Sequence, residues 1–386
     1  MKVLSSKITR LINVAGVAAI GHLLSVLLIP YASKYFGSEV ASQIAVIDSS
    51  FLLISTMLAF GLSLTVTRDV SQTEKWKSKV SKCLSARVVL AVLIQAVSGL
   101  LYYLGFIDKI AFICFLLSPL IALNLDFVLY GRDMPVRAAY ASFIRMSLPV
   151  LFFISLPLIL RFNIDYLLLV VVFYLCSTLF VFKSLGFYPN EIPKISSILN
   201  YKPVIFIGLA SLFIAFQRLG FISFLDVSQT DLVYISTVLK FYLAFVAVRR
   251  LFIQTFYVSL LKRSIYVKVE VFCFISALIV ASVCFIFPEK IAVLLFSGNS
   301  DSQIEYIVFF AILLIAGSLF ATADARLFLE NKDRSYYASA FISFFIWLVC
   351  FSLFFIQDSR PAYILLILAL SEAILALSYK YFLVKK

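Results

Sequence analysis

The sequence predicts an all-α integral membrane protein, with about twelve transmembrane helices in two parallel six-helix halves around a central cavity. The first reason is composition, because 63% of the 386 residues are hydrophobic and only 14% are charged, with a mean hydropathy of +1.06. Soluble domains have roughly 45–50% apolar and ~25% charged residues. The other two reasons are the number of long apolar runs and the distribution of lysine and arginine between them.

Long apolar runs recur along the whole chain, and a helix needs about 20 such residues to cross a bilayer. Twelve runs meet this criterion, at residues 11–31, 43–67, 88–107, 110–130, 138–160, 166–182, 203–225, 232–247, 269–287, 304–325, 337–356 and 362–379. The first run follows the segment MKVLSSKITR, but it is too long for a signal peptide and lacks a small-residue cleavage site, so we interpret it as a retained span. Lys240 interrupts the eighth run. Prolines inside the fourth and fifth runs each remove a backbone hydrogen bond and tend to kink the helix: Pro119, Pro149 and Pro157.

Basic residues set the predicted orientation, because cytoplasmic loops carry an excess of lysine and arginine. With the amino terminus inside, 25 of the 33 basic residues lie in inner segments, five in outer loops and three within spans. A missed span would invert every later loop and destroy this asymmetry. The sequence therefore predicts a multi-pass membrane protein with both termini in the cytoplasm.

The longest polar connection between spans divides the chain into equal numbers of helices. It is the segment GFYPNEIPKISSILNY, which contains two prolines. We predict an N-terminal six-helix bundle over residues 1–185, a cytoplasmic linker over 186–202 and a C-terminal six-helix bundle over 203–386. Because six is even, both halves would enter the membrane with the same orientation, as in transporters with parallel repeats, and a substrate path would lie between them.

The sequence disfavours or excludes several functional classes. No outer loop exceeds about 16 residues, which leaves little room for the long catalytic loop that a glycan polymerase usually needs. The inner segments are short and lack the Gly-rich lysine motif of nucleotide-binding loops, so the chain does not hydrolyse ATP. The six cysteines are scattered without a CxxC pair, which indicates neither a disulfide framework nor a metal site. The positive charge is explained by orientation, and we expect no nucleic-acid partner.

Two cations lie inside predicted spans, where a charge costs about 3 kcal/mol or more. Arg218 is about seven residues, or ~10 Å, from the predicted outer end of the seventh span, and Lys240 has a similar depth in the eighth. Either both face a shared aqueous cavity, which we favour, or they snorkel to the interface. Asp48 is the expected counter-ion, and a structural bridge is then the alternative. Gln217 could hydrogen-bond a sugar or a neighbouring helix.

Three further polar residues lie in spans. Arg145 and Asp126 are nearer the predicted inner ends, where they could pair with each other or line an inner vestibule. His22, the only histidine, could be a protonatable coupling group or a neutral packing residue. We expect no cofactor, and coupling to H⁺ or Na⁺ stays open. A drug antiporter would be expected to rely on acids inside the membrane, for which the sequence analysis names Asp48 and Asp126.

Three segments carry a resemblance to a known family. In LLIPYASKYFGSEVASQIAVIDSSFLLISTMLAFGLSLTVTRDV, a helix ends in proline, a short loop carries an aromatic residue and glycine, and a second helix ends in FG followed by arginine, at Pro30, Phe36, Gly37, Phe60, Gly61 and Arg68. This segment resembles the opening of bacterial polysaccharide exporters of the O-antigen flippase type, in the multidrug/oligosaccharidyl-lipid/polysaccharide superfamily. FIAFQRLGFISFLDVSQTDLVYISTVLKF is similar to that family's seventh and eighth helices. A third segment of this chain is similar to the family's ninth-to-eleventh helix region. It reads LFSGNSDSQIEYIVFFAILLIAGSLFATADARLFLENKDRSYYASA and has its basic turn at Asn331, Lys332 and Arg334. SQIAVID replaces the glycine and tyrosine usual after the first outer loop, which leaves the subgroup open.

The resemblance implies a flippase, which is not an enzyme. Such a protein lies in the bacterial cytoplasmic (inner) membrane and moves an undecaprenyl-pyrophosphate-linked oligosaccharide from the cytoplasmic to the outer leaflet by alternating access. The oligosaccharide is a repeat unit of a capsule or of the O-antigen of lipopolysaccharide. The implied partners are this lipid-linked substrate, the membrane and the glycan polymerase machinery. Arg218, Lys240, Gln217 and Arg145 are the predicted substrate-binding residues. Asp48, His22 and Asp126 are the predicted ion-coupling or counter-ion residues. A drug antiporter of the same superfamily and a polytopic glycan polymerase are the alternatives.

Overall fold

The structure is a computed structural model, and it describes residues 17, 20–21, 24–62, 66–67, 70, 73–160, 165–188, 196, 199, 202, 204–255, 260, 263–296, 300–330, 332–356 and 360–384. Over these ranges the chain is helical and contains no strand. The helices are, in chain order, α1 (24–36), α2 (Ser38–Ala59), α3 (Trp76–Tyr103), α4 (Lys109–Leu116), α5 (Ser118–Ala122), α6 (Asp126–Gly131), α7 (Pro135–Leu160), α8 (Tyr166–Leu185), α9 (Ile205–Arg218), α10 (Gln229–Thr255), α11 (Arg263–Ile286), α12 (Pro288–Phe296), α13 (Asp301–Ser318), α14 (Ala323–Leu329), α15 (Asp333–Ile356) and α16 (Tyr363–Val384).

The predicted spans correspond to these helices. Among the described residues, nine helices are long and apolar enough to cross a membrane, and α4 to α6 would form a tenth span with a 45° bend. The seventh predicted span contains the shorter apolar helix α9, which a 3₁₀ turn at Gly220–Phe224 extends. The first is described mainly over residues 24–36. The predicted all-α membrane fold is therefore confirmed, and the chain is a multi-pass membrane protein.

The chain divides into two compact units. Unit 1 comprises Met1–Leu28 and Val46–Gly208, and unit 2 comprises Ile29–Ala45 and Leu209–Lys386. In unit 1, α7 packs along α8 and α3 packs against α4 and α5. In unit 2, α13 packs against α10, α11 and α16, while α15 packs along α16. The predicted bundle boundaries at residues 185 and 203 stay a prediction.

The fourth span of unit 1 is broken twice. Helix α4 ends at Leu116 and α5 begins at Ser118, with Pro119 in its first turn, where proline is tolerated because the first amides of a helix have no intrahelical partner. The kink predicted at Pro119 is therefore present, whereas α7 continues through Pro149 and Pro157. The second break separates α5 from α6 at residues 123–125.

An arginine of the neighbouring helix satisfies the carbonyls that the second break releases. The guanidinium of Arg87, in α3, is only 4% exposed. It donates to the carbonyl oxygens of Asn124 and Ile121, the latter at 3.2 Å. A carbonyl buried without a partner would cost about 1–3 kcal/mol, so Arg87 stabilises the break. Arg87 directly precedes the third predicted span, which begins at residue 88, and it lies within α3.

Unit 2 repeats this arrangement in its tenth span. Helix α13 ends at Ser318, α14 begins at Ala323, and Phe320 between them has a positive φ of 46°. Arg249 of α10 donates to the carbonyl oxygen of Gly317, as Arg87 does at the break in unit 1. Both short helices carry an aspartate in the first turn, Asp126 in α6 and Asp324 in α14. Each unit therefore contains a broken span in which an arginine from a neighbouring helix donates hydrogen bonds to backbone carbonyls at the break.

A glycine turn closes helix α2. Phe60 and Gly61 both have positive φ, of 34° and 78°, and the second value favours glycine. The Phe60 ring lies directly against Gly208 in the first turn of α9, where an added Cβ would come within 2.7 Å of three ring carbons. The FG pair on which the family resemblance rests therefore ends a helix and sets its approach to α9.

Candidate functional site

The charge predicted inside the seventh span is paired within unit 2. Arg218 is the last residue of α9, and its guanidinium forms a two-pronged ion pair with the carboxylate of Glu372 in α16. The Nε–Oε1 distance is 2.5 Å and the Nη2–Oε2 distance is 2.8 Å. The side chains are 13% and 3% exposed. Paired donors and acceptors of this geometry give the strongest type of charged hydrogen bond, so the pair fixes the end of α9.

The Arg218–Glu372 pair lines a small polar cavity inside unit 2. The cavity has a volume of about 40 Å³. Three arginines and two carboxylates give its wall one excess positive charge, and two stacked tyrosine rings 5.4 Å apart complete the polar lining. The charged and phenolic residues are Arg218, Arg249, Arg250, Asp324, Glu372, Tyr336 and Tyr379.

The cavity spans a considerable depth. Tyr336 and Asp324 lie in the first turns of α15 and α14, at the end of unit 2 that the basic residues predict to be cytoplasmic. Glu372 lies nine residues into α16, or ~14 Å along a helix that starts at the opposite end. The cavity therefore joins one end of unit 2 to the middle of its helices. A hydrated path of this kind lowers the cost of keeping Arg218 charged inside a membrane.

Gln217 is used for packing. Its side chain is fully buried, and its amide nitrogen donates to the Ser343 hydroxyl at 3.3 Å. Ser343 in turn donates to the backbone carbonyl of Ser371 at 2.8 Å. Gln217 thus ties α9 to α15 and α16 and does not belong to the cavity wall of the described chain. Its predicted role in binding a sugar stays a prediction.

Lys240 is buried on α10, where it is 7% exposed. It lies two residues from Tyr242, or about 200° around the helix. Tyr242, also on α10, interacts electrostatically with Glu372 and Arg218. Of the described residues, the cavity wall includes Arg218 and not Lys240. That Lys240 faces the same cavity as Arg218 and binds substrate with it therefore stays a prediction.

The carboxylate that neutralises Arg218 is one that the sequence analysis did not name. Asp48 was the expected counter-ion, but Glu372 accepts from two nitrogens of Arg218. Asp48 belongs to unit 1, where it accepts a hydrogen bond of 3.2 Å from the hydroxyl of Tyr166. His22 lies outside the described residues. The ion-coupling roles of both residues stay predictions.

Arg145 and Asp126 pair with each other, as one of the two interpretations of the sequence expected. The Nη2–Oδ2 distance is 2.8 Å, and the side chains are 12% and 21% exposed. The guanidinium of Arg145 also lies over the ring of Tyr174, 5.3 Å from its centroid. The pair links α6 to α7 within unit 1. A role of Arg145 in substrate binding stays a prediction.

Four charged residues of the cavity were missed as site residues. Glu372 carried the same signal as Arg218, because it is a charge within a predicted span, yet it was overlooked when the acids inside the membrane were counted. Arg249, Arg250 and Asp324 lie near predicted span ends, where charges are common. Only the packing of α10, α14 and α16 around one space distinguishes them from ordinary loop charges.

Gly317 provides a test of how tightly the cavity is packed. An alanine Cβ at this position would overlap the Tyr242 hydroxyl and come within 2.8 and 2.9 Å of two ring carbons. We expect Gly317→Ala to lower the free energy of unfolding by about 1–3 kcal/mol through overpacking. In a chain that already carries Tyr242→Leu, the same change should cost clearly less. Thermal unfolding in detergent micelles measures both.

The control for this experiment is Gly99→Ala in α3, where an added Cβ meets nothing within 4 Å. Alanine is favoured over glycine within a helix by roughly 0.5–1 kcal/mol, so this variant should be as stable as the original chain or more stable. An equal loss from Gly317→Ala with and without Tyr242→Leu would contradict the described contact.

Comparison with known proteins shows likeness in structure alone. No family model matches the chain, and no curated protein sequence matches it. The solved structure of the lipid II flippase MurJ in an inward closed conformation is similar, with a TM-score of 0.69 and 14% identity over 96% of this chain and 87% of that chain.

Two further similar structures are transporters. An inward-facing multidrug resistance MATE family transporter of the MOP superfamily has a TM-score of 0.65 and 12% identity, with 94% of each chain covered. A MOP superfamily transporter from Pyrococcus furiosus has a TM-score of 0.54 and 13% identity over 97% of this chain and 93% of that chain. The chain therefore has the all-α membrane fold that the MATE and MurJ structures share.

Proposed function

We propose that the chain is a flippase that carries an undecaprenyl-pyrophosphate-linked oligosaccharide, an O-antigen or capsule repeat unit, from the cytoplasmic to the outer leaflet by alternating access. The observation that carries the proposal is the cavity of unit 2, where three arginines and two carboxylates leave one excess positive charge beside a buried ion pair. Likeness in fold to a lipid II flippase supports it. The same proposal includes an inner-membrane location with cytoplasmic termini and contact with the glycan polymerase machinery.

The chemistry of the cavity suits a pyrophosphate. Arginine presents a planar fork of donors that matches phosphate oxygens, and Coulomb attraction is stronger in a partly dehydrated site than in bulk water. Arg250 is exposed and would meet the anion first. Arg218 would meet it last, after exchanging Glu372 for a phosphate oxygen. Because the cavity is small, with a volume of about 40 Å³, binding of a pyrophosphate also requires unit 2 to open.

A drug or small-solute antiporter is the second candidate, and Glu372 is the observation that favours it. This carboxylate is 3% exposed and lies at the deep end of the cavity. Once released from Arg218, it could accept an organic cation or a coupling ion, H⁺ or Na⁺. Two of the similar structures are described as multidrug resistance MATE transporters.

Gene deletion in the producing organism distinguishes the two candidates. If the chain is the flippase, lipid-linked repeat units accumulate on the cytoplasmic leaflet, where a membrane-impermeant lectin reaches them only after permeabilisation. The original chain restores export, and so does the control variant Lys290→Gln, which changes an exposed residue outside the cavity wall. Normal export together with loss of ethidium extrusion would contradict the flippase and support the antiporter.

A further inference from the structure

One corner of unit 1 concentrates exposed basic side chains. Helix α3 starts at Trp76, and the segment around its start reads KWKSKVSK. All four lysines in these eight residues are exposed: Lys75, Lys77, Lys79 and Lys82. At about 100° per residue, Lys79 and Lys82 lie about 60° apart around α3, and Lys77 lies on the other side of the helix. The apolar part of α3 begins beyond them, so the lysines lie at the end of a membrane-spanning helix.

Two other segments meet α3 at Trp76. The guanidinium of Arg132, from the turn after α6, lies 5.2 Å from the centroid of the Trp76 ring. On the other side, the ring of Phe187 lies 6.3 Å away, and Lys77 donates to the carbonyl oxygen of Gly186 at 3.1 Å. Three chain segments distant in sequence therefore form one continuous surface.

The same surface gathers two more cations from α7 and α8. Arg137 donates to the backbone carbonyl of Ser184 at 3.2 Å, and the neighbouring Lys183 is exposed in the last turn of α8. We call this surface the Trp76 patch. It contains seven described basic residues and two described acids, Glu74 and Asp133; the basic residues are Lys75, Lys77, Lys79, Lys82, Arg132, Arg137 and Lys183.

The corresponding end of unit 2 is more balanced in charge. There, Glu330 lies within 3.7 Å of Arg326 and 3.2 Å of Lys332. Lys332 also donates to the backbone carbonyl of Phe382 at 3.2 Å. Glu330 thus pairs with two bases of unit 2, whereas the Trp76 patch has seven described bases for two described acids.

We propose that the Trp76 patch binds the phosphate headgroups of anionic phospholipids in the surrounding bilayer. Its place at the ends of spanning helices puts it at headgroup level, and an indole is suited to that interface. Clusters of four to eight bases next to a membrane helix are attracted to anionic lipids. Lysine stems are long enough to follow headgroups that move. The proposal concerns the bilayer and holds whatever the transported molecule is.

The test compares two variants that each lose four positive charges. The patch variant carries Lys75→Gln, Lys77→Gln, Lys79→Gln and Lys82→Gln. The control variant changes four exposed lysines elsewhere in the chain: Lys34→Gln, Lys109→Gln, Lys268→Gln and Lys290→Gln. Each full-length protein is reconstituted with an equal mixture of phosphatidylcholine and phosphatidylglycerol. Native mass spectrometry then counts the lipids of each class that stay bound.

We expect the original chain and the control variant to retain phosphatidylglycerol in preference to phosphatidylcholine by about tenfold, and the patch variant to lose most of that preference. The preference should also fall in about 1 M salt, where the Debye length is about 3 Å. Equal preference in the patch and control variants would overturn the proposal, as would a preference insensitive to salt. If the patch variant does not fold, its unfolding measurement will show this. The single substitution Arg132→Gln is then tested in place of the patch variant.

Discussion

Replacing Arg218 by alanine is expected to lower the free energy of unfolding by about 3–5 kcal/mol, because Glu372 would remain as a buried carboxylate without its cation. Export should be lost as well, since Arg218 is the proposed deep contact of the pyrophosphate. Thermal unfolding in detergent micelles measures the first effect. Complementation of a deletion strain measures the second.

The matched control separates stability from transport. An apolar pair of similar volume, Arg218→Met with Glu372→Leu, removes both charges and should recover most of the stability. It should not recover export, because no cation is left at the end of α9. Full export by this double variant would show that the pair only holds helices together. Unchanged stability of Arg218→Ala alone would contradict the described ion pair.

The Arg145–Asp126 pair of unit 1 should behave differently. Arg145→Ala is expected to cost about 2–4 kcal/mol, somewhat less than Arg218→Ala, because the carboxylate left without its cation, Asp126, is 21% exposed whereas Glu372 is 3% exposed. Loss of the contact with the Tyr174 ring adds roughly 0.5–1 kcal/mol to this range. The same unfolding measurement gives the comparison directly.

The corresponding double variant, Arg145→Met with Asp126→Leu, is expected to recover both stability and export. Arg145 is a predicted substrate-binding residue, but its Nη2 already pairs with Asp126 and its guanidinium lies over the Tyr174 ring. A stable double variant that fails to export would return Arg145 to the substrate site. The two double variants thus assign one ion pair to transport and the other to structure.

The positions of the spans were predictable, but the lengths of their helices were not. The third run was expected to begin at residue 88, whereas α3 begins at Trp76. The eighth was expected to end at 247, whereas α10 continues to Thr255. Hydropathy detects the part of a helix that lies in hydrocarbon, and lysine and arginine are good helix formers that extend it beyond the core. This explains both the early start of α3 and the late end of α10.

The partners of the buried charges could not be read from one sequence. Arg218 and Glu372 are 154 residues apart, and their meeting depends on how α9 and α16 are rotated about their axes. Apolar periodicity is weak in helices surrounded by lipid and protein, so it does not report that rotation. The break between α13 and α14 was also hidden, because residues 319–322 contain neither proline nor glycine. By contrast, Pro119 marked the break in unit 1.

The two tryptophans of the chain lie in opposite surroundings. Trp347 is 1% exposed and enclosed by the rings of Phe216, Phe221 and Phe351. Trp76 is half-buried at the start of α3, in the patch proposed to bind lipid headgroups. The intrinsic fluorescence of the chain therefore has two separable components: brominated lipid would quench the emission of Trp76, while that of Trp347 would report rearrangement inside unit 2. The chain carries its own optical labels for lipid contact and for internal motion.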